Sequence, residues 1–200
     1  MYVNTKKKHS YYLKKHLNEN LHSKLVYGVE LKHRQKLFNT IFVQTHNISK
    51  YRIKQKFVPM REFVPKIIEN TFQIPSYFSK SKYDFTEKIK NEFGFIPFVC
   101  YESIFSIFTA KQAINSDFIL LSSSESFMNN SYFGKKQYLN IVKLRAIENG
   151  RYILKCSNEG ISCLIDQKGN IVKEIRTKVE NTKIKIIKKN TFYQTIISNL

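Results

Sequence analysis

The spacing of apolar residues changes along this chain, and each change marks an element. Tyr12, Leu13, Leu17 and Leu21 recur at helical spacing and predict a helix over residues 10–22. Two β-rich runs, 25–29 and 37–43, predict strands on either side of a turn rich in Lys, His and Arg. Asn47-Ile48-Ser49-Lys50 predicts a hairpin turn, and residues 51–56 a further strand. From 59 to about 83 the periodicity fades and Pro65 and Pro75 interrupt the chain. An extended loop, long enough to cover a site, is expected there.

After Gly94 the pattern is regular. Phe95-Ile96-Pro97-Phe98-Val99 reads as a buried strand that delivers Cys100 at its end. Ile104, Phe105, Ile107 and Phe108 fall on helical spacing, so a helix is predicted from the turn to about Asn115. Next come a strand over 117–121, a small-residue loop over 122–134, and a helix carrying Tyr138, Ile141, Val142, Leu144 and Arg145. Asn149-Gly150 ends that helix. A strand over 152–154 precedes a hairpin of 161–165 and 171–175 across Asp166-Gln167-Lys168-Gly169-Asn170, and 182–187 is the last strand. Strands alternating with helices, then hairpins, predict a mixed α/β sandwich.

Composition alters this picture little. With 200 residues and 42% hydrophobic content, one domain with a sizeable core is expected. The net charge of +19 favours nucleic acid or an anionic membrane as partner. The lysines are scattered singly, however, in a chain rich in Ile, Asn, Tyr and Phe with no Trp. The charge therefore reads as compositional drift, Lys6-Lys7-Lys8 as a solvated terminus, and no nucleic-acid partner is expected. Apolar runs such as 118–121 fall far short of the roughly 20 residues that span a bilayer, and no signal peptide is visible. The 3 cysteines show no Cys-x-x-Cys pairing and the 5 histidines no metal-ligand spacing. No disulfide framework, metal or cofactor is expected.

The candidate chemistry sits at Cys100. A thiol at a strand-to-helix turn lies beside backbone N–H groups that favour a thiolate and an oxyanion. The competing account is a small apolar residue closing a core strand. Position alone leaves both open.

Several segments resemble one family in register. Lys54-Gln55-Lys56-Phe57-Val58-Pro59-Met60-Arg61-Glu62-Phe63-Val64-Pro65 resembles the Lys-x-x-Leu-Val-Pro-Phe-Gly-Glu-x-x-Pro segment of the apolipoprotein N-acyltransferases. Val99-Cys100-Tyr101-Glu102 matches their Cys-Tyr-Glu turn, and residues 136–148 are similar to the helix after their active-site loop. Ser157-Asn158-Glu159-Gly160-Ile161-Ser162 and Ile165-Asp166-Gln167-Lys168-Gly169-Asn170-Ile171 resemble the Asn-x-Gly-x-Ser strand and Asp-x-x-Gly hairpin, and Thr191-Phe192-Tyr193 also fits.

This resemblance, over roughly residues 20–195, implies a nitrilase-like, or carbon–nitrogen hydrolase, αββα sandwich. It implies a cysteine that takes an acyl chain from a phospholipid as a thioester and passes it to the N-terminal amine of a diacylglyceryl lipoprotein. Cys100 would be the nucleophile and Lys54 the oxyanion partner, with the Tyr101 N–H as second donor. Glu62 would orient the lysine or the amine, Glu102 would help fix the turn, and Phe127 would stand in the lipid-contacting loop. The implied location is the periplasmic face of the inner membrane.

The chain also departs from the pattern. The family's general-base glutamate, in an upstream Pro-Glu turn, falls before this sequence starts, and Glu30 is not assigned that role although it is read as ending a strand. Arg61 replaces a Gly, and Ser124-Glu125-Ser126-Phe127 replaces Asn-Asp-x-Trp. The expectation is a single nitrilase-like domain over 1–200, incomplete at its N-terminus and without the family's transmembrane bundle. A separately encoded N-terminal membrane half is the candidate partner. The alternatives are a stand-alone amidase, an inactive degenerate fragment, and a basic protein that binds nucleic acid or anionic lipid.

Overall fold

The computed structural model describes residues 2–3, 23–81, 86–128, 131–175, 184 and 190–199. The helix expected over 10–22 and, except for residue 184, the strand expected over 182–187 lie outside the described residues. The chain divides into two compact units, Met1–Phe85 and Thr86–Leu200.

The first unit is built on an antiparallel sheet ordered β1-β2-β3-β4, with β1 Tyr2–Val3, β2 Leu25–His33, β3 Lys36–Gln44 and β4 Ser49–Ile53. Strands β2 and β3 form a tight hairpin in which His33 faces Lys36 and Leu31 faces Phe38. Period-2 alternation gathers Leu31, Phe38, Phe42 and Ile53 into one buried cluster, with Tyr27 stacked on Phe42 at 5.7 Å. Glu30 does not end its strand. It lies within β2, exposed and opposite Asn39.

Strand β4 stops at Ile53, so Lys54 leaves the ladder immediately, its N–H still bonded to Asn39 O at 2.8 Å. The expected loop contains a short helix, α1 (Lys66–Phe72), starting directly after Pro65. None of its residues is buried, so it carries no apolar stripe for periodicity to reveal.

The second unit opens with a helix that the apolar pattern did not reveal, α2 (Thr86–Phe93), followed by β5 (Phe95–Val99). The single helix expected after Cys100 is two pieces: a 3-10 helix, Cys100–Ile104, and α3, Ser106–Ala113. The break is at Phe105, whose backbone is extended (φ −84, ψ 99). Strand β6 (Phe118–Ser124), a 3-10 turn (Ser126–Met128) and α4 (Tyr132–Asn149) come next. Helix α4 takes its first residues from the expected loop because Ser131 caps it, accepting from Gly134 N. Gly150 closes it at φ 58, a left-handed conformation that favours glycine.

The unit ends with β7 (Ile153–Asn158), β8 (Ser162–Ile165), β9 (Ile171–Ile175) and α5 (Phe192–Ser198). Its sheet runs β5-β6-β7-β8-β9; the first three strands are parallel and the last three antiparallel. Ile96, Phe98, Ile119, Leu121 and Ile153 from the sheet pack with Val142 and Ala146 of α4 in one core. Strand β5 is buried along its whole length, as expected for parallel pairing under helices. That scaffold holds the end of β5, and with it the turn at Cys100, in a fixed place.

Candidate active site

The turn that carries Cys100 is built entirely within the second unit. Cys100 is half-buried and adopts φ 47, a left-handed conformation uncommon for a side-chain-bearing residue. The turn is pinned from several sides. Glu102, fully buried, accepts the Val99 N–H on Oε2 at 2.9 Å, one half of a capping box. The Cys100 carbonyl accepts from the Tyr138 hydroxyl at 2.9 Å and the Ser103 hydroxyl at 3.0 Å, and those two oxygens lie 3.0 Å apart. The thiol itself is 3.9 Å from the Ser124 carbonyl at the end of β6. Burial, followed by the nearby negative groups Cys100, Glu125 and Glu102, pushes the Tyr138 phenol well above its usual range, so it remains a donor.

Below this turn lies a second polar cluster. Glu125 and Lys155 form an ion pair with side chains that are essentially inaccessible. Glu125 Oε1 also accepts from Ser123 at 3.1 Å and Ser157 at 2.6 Å. The Lys155 ammonium donates to Ile161 O at 2.7 Å and sits 5.5 Å from the centre of the Tyr138 ring. Glu125 Oε2 is buried and has no hydrogen-bond partner among the described residues. Gly160 lies against it: a Cβ there would come within 2.3 Å of that oxygen.

The first unit contains the other chemistry-bearing pair. Lys54, 1% exposed, donates to both oxygens of Glu62, at 2.7 and 2.6 Å. Asn39 Nδ2 at 3.1 Å and the Val58 N–H at 2.7 Å complete the carboxylate's shell. A cavity of about 1190 Å³ also opens in this unit, with Leu31 and Phe38 in its wall and His33, Arg34, Lys36 and Lys80 around it.

The structure thus brings Lys54 and Glu62 together in the first unit, and Cys100, Tyr101 and Glu102 on one turn in the second. The side chain of Phe127 lies outside the described residues. In the loop 124–127, read as lipid-contacting, Glu125 turns inward to Lys155. Sequence reasoning missed Glu125, Lys155, Tyr138 and Ser103. A signal existed: Lys155 shares its strand face with Ile153, and a lysine at an inward strand position requires a buried partner. The other thiols are less poised. Burial pushes Cys163 up to about 11, and desolvation raises Cys156 although that residue is exposed overall, with Lys155 opposing both shifts. Among the described residues no cluster of His, Cys, Asp or Glu could hold a metal ion, and no helix is long and apolar enough to cross a membrane.

Comparison with known proteins bears on the family and the fold. Residues 15–196 match the carbon-nitrogen hydrolase family. The chain is 32% identical over 164 residues to an apolipoprotein N-acyltransferase of Pseudomonas putida, covering 77% of this chain and 32% of that protein. It is 37% identical over 81 residues to the one from Wigglesworthia glossinidia brevipalpis, covering 40% and 16%. The chain therefore spans about a third or less of the length of these relatives. Among solved structures it is similar to a carbon-nitrogen hydrolase from Helicobacter pylori (TM-score 0.59, 11% identity, 84% of this chain and 63% of that one). A CN-hydrolase superfamily protein from Xanthomonas campestris gives a TM-score of 0.57 at 16% identity over 85% and 64%. These likenesses establish the fold as a nitrilase-like α/β sandwich.

Proposed function

The chain belongs to the carbon–nitrogen hydrolase family, and from that premise we propose that it is part of an acyltransferase domain working through Cys100. The Cys100 thiolate attacks an ester carbonyl, a C–S bond forms, and the alkoxide leaves with a proton. An amine then attacks the thioester and regenerates the thiol. Lys54 and the Tyr101 N–H stabilise the oxyanion of each step, and Glu62 holds the lysine in place. General-base help from a glutamate is part of the reading, and such help is worth roughly 10²–10⁴-fold. The acyl donor is a phospholipid and the acceptor the N-terminal amine of a diacylglyceryl lipoprotein. Both are met at the periplasmic face of the inner membrane.

The observation that carries this reading is the conformation of Cys100: a left-handed, multiply pinned cysteine at the head of a 3-10 helix. A cysteine serving only to close a core strand has no need of such strain. The test is incubation of the chain with phospholipid vesicles followed by mass spectrometry. A hydroxylamine-labile acyl group on Cys100, lost in Cys100→Ala, is expected; no thioester there contradicts the proposal.

The cavity in the first unit favours a second reading, binding of an anionic amphiphile by His33, Arg34, Lys36 and Lys80 over an apolar wall. Binding to phosphatidylglycerol vesicles that weakens with salt and survives Cys100→Ala supports it; equal binding to phosphatidylcholine contradicts it.

A further inference from the structure

The peptide joining Cys100 to Tyr101 is held from one side. It is trans, as are all the peptide bonds described, so its C=O and N–H point in opposite directions. The C=O is directed at two buried hydroxyls, Tyr138 (4% exposed) and Ser103 (3% exposed). Its partner, the Tyr101 N–H, therefore points away from that buried side. It belongs to the first turn of the 3-10 helix, whose N–H groups have no carbonyl within the helix.

Two hydroxyls carry two hydrogens, and three contacts link them to one another and to the carbonyl. At least one hydrogen can always reach the carbonyl, whichever way the Ser103–Tyr138 contact is directed. Lys155 lies against the Tyr138 ring, which couples the phenol's position to the Glu125 ion pair.

We infer that Tyr138 and Ser103 are positioning residues for oxyanion stabilisation: by holding the Cys100 carbonyl inward they keep the Tyr101 N–H turned outward as a donor. Without them the peptide is free to flip, and the site would present an oxygen where it needs a hydrogen. The inference rests on the proposed role of Cys100, and it concerns only attacks that create a negatively charged oxygen.

That restriction supplies the test. Acylation of Cys100 by p-nitrophenyl butyrate forms a C–S bond, passes through an oxyanion and expels p-nitrophenolate. Alkylation by iodoacetamide displaces iodide with no oxyanion. Both rates are measured on the purified chain at Cys100, resolved by peptide mass spectrometry. Tyr138→Phe and Ser103→Ala are each expected to slow acylation by about tenfold, and the double variant by about 10²-fold, the loss expected for one backbone donor. Alkylation stays unchanged, and Ser103→Thr, which keeps the hydroxyl, retains normal acylation. Equal losses in both reactions would show a merely structural role and overturn the inference, as would unchanged acylation in the double variant. Wild-type Cys100 acylated no faster than a cysteine in a short unfolded peptide would overturn the proposed function itself, and the inference with it.

Discussion

Two buried lysine–glutamate pairs, one in each unit, share a chemistry and differ in how they are satisfied. Around Glu62 the donors are divided evenly: Lys54 reaches both oxygens, Asn39 adds to one and Val58 N–H to the other. Around Glu125 they crowd onto Oε1, where Lys155, Ser123 and Ser157 all converge while Oε2 has none. The first arrangement fixes an ammonium group in one orientation, as the proposed role of Lys54 requires. The second ties β6, β7 and the loop between β7 and β8 together and leaves one buried carboxylate oxygen unpaired among the described residues. Two pairs of the same residue types are thus satisfied evenly in one case and lopsidedly in the other.

The comparison is broken most severely by removing one partner. Glu125→Ala leaves the inaccessible Lys155 ammonium unpaired and should cost about 3–5 kcal/mol in urea unfolding. Replacing both partners with apolar residues (Glu125→Leu with Lys155→Met) should recover most of that loss. Glu62→Ala should lie near the lower end of the same range, about 3 kcal/mol, because the Glu62 side chain retains 11% exposure.

A smaller effect probes the asymmetry itself. Gly160→Ala places a methyl 2.3 Å from the Glu125 carboxylate carbon and 2.4 Å from Ser157 Oγ. A loss of about 1–3 kcal/mol is expected by thermal melting. A neutral result would mean that Glu125 can move aside, contrary to a fixed scaffold.

The mildest test uses the thiols. With its pKa at about 11 from burial, Cys163 is ionised only to about one part in a thousand at pH 8, so iodoacetamide should modify Cys100 well before it. Raising the pH toward 11 should release Cys163 reactivity. Because Lys155 pulls both Cys156 and Cys163 downward, Lys155→Met should push their titrations higher, whereas Lys54→Met should leave them in place. Thiol titration followed by mass spectrometry separates the two pairs.

How local each signal is decided whether the sequence made it legible. The β2–β3 hairpin, β5, the end of α4 at Gly150 and the β8–β9 hairpin were readable because alternation, apolar runs and turn residues are local features. Helices α1 and α2 were not, since both are short and α1 has no buried face at all. The break at Phe105 was hidden by Ile104, Phe105, Ile107 and Phe108, whose spacing is helical even where the backbone is not. Among the candidate residues, Cys100, Lys54, Glu62, Tyr101 and Glu102 stood out through the resemblance of their flanking residues. Tyr138 and Ser103 act at a distance in sequence, converging on a backbone carbonyl that carries no sequence signature.

The most direct measurement is the site of acyl capture on the isolated chain. Incubation with p-nitrophenyl butyrate at pH 8, followed by peptide mapping, should place a hydroxylamine-sensitive butyryl group on Cys100 and leave Cys156 and Cys163 free. Butyryl groups spread evenly over the three sulfurs, or absent from Cys100, would contradict the account.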